Sequence, residues 1–149
     1  MIGVWVLLAA VVATAAIALV KRRVDGRFRS AAPVHDEASA PSPESREVVT
    51  TEDLGGAALG ERVTLVQFSS SFCSPCRATR VLLADVVRGR EGIVHVEVDA
   101  ESHLQLVRRL NILRTPTVLV IDPDGAVVGR ASGLPRRDQV EAVLASVGA

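Results

Sequence analysis

The sequence predicts an α/β domain, a central mixed sheet flanked by helices, preceded by one N-terminal transmembrane helix. Three observations carry that expectation. Ile2 to Val20 is an apolar stretch in which Thr14 is the only polar side chain. From Val63 onward, apolar runs of strand length alternate with segments whose apolar residues recur at three- and four-residue steps. The only two cysteines, Cys73 and Cys76, stand where the first of those runs gives way to the first helical period.

Composition bounds the alternatives. The chain has 149 residues, room for one domain beside the N-terminal segment. Its 17 basic and 17 acidic residues cancel, and its aromatics are Trp5, Phe28, Phe68 and Phe72. Nucleic acid is therefore not an expected partner, since binding it needs a basic face and, for single strands, aromatics along a basic groove.

In chain order, Ile2 to Val20 would span roughly 28 Å as a helix, about the thickness of a bilayer's hydrocarbon layer. A secretory signal is also apolar, and Ala13-Thr-Ala15 imitates a cleavage site, but no basic residue precedes the run, so an uncleaved anchor in contact with membrane lipid is expected. Lys21, Arg22, Arg23, Arg27 and Arg29 follow against a single Asp25, which by the positive-inside rule puts the rest of the chain in the cytoplasm. The alternative is an extracytoplasmic domain. Ser30 to Glu47, with Pro33, Pro41 and Pro43 and little apolar periodicity, reads as a flexible tether reaching on the order of 25 Å. The organisation is thus an anchor over 2–20, a basic juxtamembrane segment and disordered linker over 21–47, and a folded domain over 48–149.

Within the domain, Val48-Val49-Thr50 suggests a short edge strand, and Thr51 to Leu54 a helix start that Gly55-Gly56 ends. Val63 to Phe68 is a buried strand. Ala78, Val81, Leu82 and Val86 make a helix from Cys73 that ends around Gly89 to Gly92. Ile93 to Asp99 alternates strictly and predicts a strand; Glu101 to Leu110 predicts a helix with Leu104, Val107 and Leu110 on one side. Thr117 to Ile121, the turn Asp122-Pro-Asp-Gly125 and Ala126 to Ala131 form a hairpin. Pro135 opens a last helix that buries Val140, Val143, Leu144 and Val147. The domain order is βαβαββα.

The chemistry lies in Cys73-Ser-Pro-Cys76. At a strand-to-helix junction Cys73 sits beside the unpaired N–H groups and positive dipole end of the first turn, and both stabilise a thiolate. Cys76 follows one turn later, within disulfide reach and more shielded from water. Cys73 would attack a disulfide in another molecule, and Cys76 would resolve the mixed disulfide by attacking Cys73. Pro75 has a φ suited to the first turn. The bland alternatives are two core residues or half of a zinc site, and no second Cys or His pair stands at ligand spacing. No metal and no cofactor beyond a Cys73–Cys76 redox disulfide is expected.

Phe68 to Arg80 resembles the active-site segment of the thioredoxin family, and Arg114-Thr-Pro-Thr-Val118, about forty residues on, resembles that family's cis-proline turn. The resemblance runs from about Val63 to Val147. An X-Pro bond is ordinarily trans; the resemblance implies that Thr115-Pro116 is cis, that Pro116 shapes the site and keeps metals off the thiols, and that the Thr115 main chain pairs with an extended substrate. It also implies that Gly133 lets a partner approach, although a simple turn before Pro135 explains the same glycine. Disulfide-containing proteins are the implied substrates and a reductase the implied electron donor.

Two positions depart from the family pattern. Phe72 stands where Trp is usual, which keeps an apolar rim without the indole N–H. Gln67 replaces the buried Asp that helps take a proton from the resolving thiol, and an amide cannot titrate. His95 falls on the strand where the family often carries a Lys and is a candidate substitute in proton handling; its bland reading is a half-buried structural histidine. His35, His103, Arg108-Arg109 and Arg136-Arg137 read as solvated. The sequence thus predicts a tethered thiol-disulfide oxidoreductase, with a redox-sensitive assembly module for a membrane complex as the alternative.

Overall fold

The structure, a computed structural model, describes residues 2–24, 28–30 and 47–148. α1 (Ile2–Val24) is a continuous helix through the apolar stretch, and its described side chains, Trp5 among them, are exposed. Among the described residues, no helix is long and apolar enough to cross a membrane. The interior of the expected linker, 31–46, lies outside the described residues. Phe28–Ser30, expected in the basic segment, instead forms β1, antiparallel to a later strand.

Five strands make one mixed sheet in the order β1-β5-β4-β2-β3. β2 (Val63–Ser69) lies inside it and all seven of its residues are buried, as a run of Val, Leu and Phe without alternation should be when both faces are covered. β3 (Ile93–Asp99) lies parallel to it, in a register that starts Val63 opposite Ile93 and reaches Gln67 opposite Glu97. β4 (Thr117–Ile121) runs antiparallel on the other side, followed by β5 (Val127–Ser132). Only β2 and β3 run parallel. The hairpin turn is closed by Asp122, whose carboxylate accepts from the Asp124 and Ala126 N–H groups. Val48 makes a single bridge to Ala126 rather than a strand, and Thr50 and Asp53 satisfy each other's N–H groups around the turn that was expected to start a helix.

Side chains of β2 alternate between two cores. Val66 and Phe68 pack with Leu106, Leu110, Leu119 and Ile121 under α3 (Leu104–Arg109). That helix starts three residues later than expected, because Asp99 draws the Glu101 N–H and Ser102 hydroxyl into a turn. Val63 and Leu65 face the other way and pack with Leu83, Val86, Val118, Val120, Val140 and Leu144 under α2 (Ser74–Val87) and α4 (Arg137–Ser146). Gln67 is next in line on that second face. The packing of Leu83 and Val86 therefore seats α2 so that its first turn lies over Gln67.

Candidate active site

α2 begins at Cys73. Its backbone is extended (φ −103°, ψ 96°), as an N-cap requires, and its sulfur accepts the Cys76 N–H at 3.1 Å. Pro75 occupies the first turn, where a missing N–H costs nothing. Cys73 and Cys76 are joined in a disulfide, with Cα atoms 5.2 Å apart. Cys73 is half-buried and Cys76 is 2% exposed, so an incoming group meets the first sulfur. Phe72, just before it in the chain, is 98% exposed, an apolar ring held in water.

Thr115-Pro116 is cis, as the resemblance implied. Four hydrogen bonds hold its loop, three of them to residues outside it. Thr115 Oγ1 lies 3.1 Å from Ser70 Oγ in the turn after β2. The Thr117 hydroxyl donates to the Arg114 carbonyl, and Arg114 donates to the Ser132 carbonyl. The Gly133 N–H donates to the Pro116 carbonyl at 2.7 Å, with Gly133 at φ +92°, a backbone that side-chain-bearing residues rarely adopt. Gly133 is therefore tied directly to the proline turn. Cys73, Cys76, Phe72, Thr115, Pro116 and Gly133 form or flank one end of the sheet.

His95 does not join them. It pairs with Leu65, and the register puts Glu97 beside Gln67. Burial pushes the His95 imidazole below its ordinary value, with Glu97 opposing and Arg80 reinforcing the shift. Its Nε2 is buried without a hydrogen-bond partner among the described residues. These are the properties of a half-buried structural histidine.

Glu97 is the residue that the sequence reading passed over. It lines a cleft beside the disulfide together with Ser69, Cys73, Cys76, Arg77, Arg80 and Asp99. Arg80 grips its carboxylate through both Nε, at 2.5 Å, and Nη2, at 2.7 Å, and the Ser69 hydroxyl donates to it at 2.6 Å. Burial alone would raise its pKa; the bonds from Arg80 and Ser69 and the guanidinium charge outweigh that and hold it below the usual carboxylate value. A register that starts Val63 opposite Ile93 pairs Gln67 with Glu97, but the sequence alone does not state that register.

Gln67 is fully buried, and its Nε2 donates to the Cys76 carbonyl at 2.9 Å. Two sulfurs at a helix N-terminus, one reachable and one shielded, are equipped for thiol-disulfide exchange. Among the described residues no cluster of side chains could hold a metal ion.

Known proteins share this fold. Residues 50–148 match the family model described as a thioredoxin-like domain. The chain is 28% identical over 88 residues to an H-type thioredoxin of Oryza sativa subsp. indica, covering 59% of this chain and 71% of that one. It is 33% identical over 85 residues to the mitochondrial thioredoxin of Bos taurus, covering 56% of this chain and 51%, about half, of the bovine one. Among solved structures, spinach chloroplast thioredoxin f superposes with a TM-score of 0.54 at 18% identity, over 60% of this chain and 80% of that one. Oxidised thioredoxin from Plasmodium falciparum gives 0.55 at 19% identity, over 68% and 94%. These structural likenesses speak for the fold, and the family match extends them to sequence: the chain belongs to the thioredoxin-like family and is a thioredoxin-like oxidoreductase.

Proposed function

We propose that the protein is a membrane-anchored protein-disulfide oxidoreductase that reduces or exchanges disulfides in partner proteins. One observation carries the reading: Cys73 sits at the N-cap of α2 with its sulfur accepting a backbone N–H at 3.1 Å. That donor and the helix dipole favour a thiolate over a thiol. In the dithiol form, the Cys73 thiolate attacks a substrate disulfide, and the displaced sulfur leaves and takes a proton. Cys76 then gives up its own proton and attacks Cys73, which frees the second substrate thiol and leaves the Cys73–Cys76 disulfide. Two electrons have passed to the substrate, and a donor reductase must return them. Phe72 and the Thr115 main chain beside the cis proline suit a polypeptide substrate, one as an apolar contact and the other as a strand-like partner.

The anchor reading rests on the sequence, on the apolar run of Ile2 to Val20, and the cytoplasmic side on the basic residues that follow it. Alkylation of the thiols by a membrane-impermeant reagent in intact cells would reverse that side and favour thiol maintenance outside the cytoplasm.

Insulin reduction with dithiothreitol as donor tests the activity. The full chain should turn insulin over, Cys73→Ser should abolish turnover, and Cys76→Ser should accumulate a mixed disulfide. Capture of a membrane partner by Cys76→Ser, with no insulin turnover by the unaltered chain, would refute the proposed protein-disulfide turnover in favour of an assembly module.

A further inference from the structure

Gln67 has one half of its amide accounted for. Nε2 faces the Cys76 carbonyl, and because a carbonyl can only accept, the contact also settles which end of the amide is oxygen. Oε1 is buried, and among the described residues no donor reaches it. An orphaned acceptor at a fully buried position is a standing destabilisation, and such groups call for a cause. The neighbouring group that changes state is Cys76. In the structure its sulfur is oxidised and carries no hydrogen; in the dithiol it carries an S–H, and a thiol is a hydrogen-bond donor.

We propose that Gln67 Oε1 accepts the S–H of Cys76 in the dithiol form, so that Gln67 is a redox-linked positioning residue whose Oε1 has no donor among the described residues when the disulfide is closed and gains one when it is open. Other polar groups of the cleft wall are already engaged: the Ser69 hydroxyl donates to Glu97, and Glu97 accepts from both Ser69 and Arg80. Two consequences follow. The dithiol gains a hydrogen bond that the disulfide lacks, which shifts the couple toward the reduced form and makes it a stronger oxidant than an apolar residue at this position would. The resolving sulfur also stays a thiol until a mixed disulfide forms. The step balances without a further reagent: Cys76 S–H and the Cys73–substrate disulfide give the Cys73–Cys76 disulfide and a substrate thiol. The proton passes from Cys76 to the departing sulfur, and Gln67 Oε1 loses its donor.

This inference rests on the exchange chemistry proposed above, but its test separates from it. Gln67→Leu in the full chain keeps the bulk and removes both amide functions. Loss of the Nε2 bond to the Cys76 carbonyl weakens both redox forms alike and therefore cancels in the exchange equilibrium. The equilibrium against a dithiothreitol redox buffer should move about tenfold toward the disulfide, a potential about 30 mV more negative. In the Cys73→Ser chain, which holds Cys76 as its only thiol, the infrared S–H stretching band should lie below that of the same chain in denaturant, and Gln67→Leu should bring it back. An exchange equilibrium within twofold of the unaltered chain would overturn the proposal. So would an S–H band in Cys73→Ser at the free-thiol position, a readout that stands even where Gln67→Leu does not fold and where insulin is not turned over.

Discussion

Leu83 is the residue that couples the helix carrying the cysteines to the sheet. It is 0% exposed and packs among Leu65, Val86, Val118, Val120, Val140 and Leu144. Leu83→Ala removes three carbons from a cluster built from the sheet and two helices, which cannot all close on the gap, so the full penalty of a core truncation applies: about 3 to 4 kcal/mol. A domain of this size is stable by about 5–15 kcal/mol, so the loss takes a large share. The melting point should drop by about 4–8 °C for each kcal/mol. Val81, two residues away on the same helix, is 69% exposed, and Val81→Ala should stay within about 0.5 kcal/mol. Urea unfolding of the full chain, followed by far-UV circular dichroism, measures both. The first turn of α2 is more than a turn from Leu83, so the alkylation rate of Cys73 per folded molecule should be preserved. A Leu83→Ala loss under 1 kcal/mol, or an equal loss from Val81→Ala, would refute the packing argument.

The remaining predictions concern charge and backbone. Because burial holds His95 below its ordinary pKa of 6.5 with Glu97 and Arg80 as its charged neighbours, the unfolded chain takes up that proton first. Stability should therefore fall as pH drops through about 6.5 toward the lowered folded value, and His95→Gln should flatten the slope in an unfolding series across that window. Glu97 has the opposite chemistry and the same sign: its folded pKa lies below 4.5, so its contribution is complete above that value and is lost as pH falls through the folded one. Glu97→Gln should lower stability at neutral pH and remove part of the acid transition. At Gly125, φ is +86° and an added Cβ would stand 2.5 Å from the Val49 carbonyl, so Gly125→Ala should cost more than about 1 kcal/mol. Gly55→Ala, at φ +66° with open space around it, should cost less, and comparison of urea midpoints decides.

Much of this was legible beforehand because it is local. β2 and β4 are short β-branched runs bounded by turns, and they need no knowledge of the rest of the chain. The first turn of α2 declares itself through Cys73 and Pro75, since a cap and a proline at the first helical positions follow from unpaired N–H groups. The cis bond at Pro116 was reached only through resemblance, because no local preference favours it. What stayed hidden depends on register or on distant partners. Strict alternation in β3 does not say which residue faces Gln67, and a shift of two residues along the same face exchanges His95 for Glu97. β1 has three residues and no apolar pattern; its place comes from the open edge of β5, whose residues Gly129 to Ala131 lie a hundred positions further on.

On the proposed exchange chemistry, the polar groups near the disulfide leave helix geometry, rather than a nearby charge, to set the reactivity of Cys73. The cleft holds two guanidinium groups, Arg77 and Arg80, and two carboxylates, Glu97 and Asp99, which sum to no net charge. Arg80 and Glu97 are in bidentate contact, so at a distance they act as a dipole and not as two separate charges. Arg77 is turned toward the Ser74 hydroxyl, and Asp99 is engaged by the Ser102 hydroxyl and the Glu101 N–H. Gln67, buried against the Cys76 carbonyl, is neutral at every pH. The field that favours a thiolate therefore comes from the terminus of α2 itself, through the Cys76 N–H at 3.1 Å and the aligned peptides behind it. That source has no titrating partner. A thiolate stabilised in this way keeps its reactivity across the range in which His95 changes charge, and the pH dependence of exchange should follow the thiol itself.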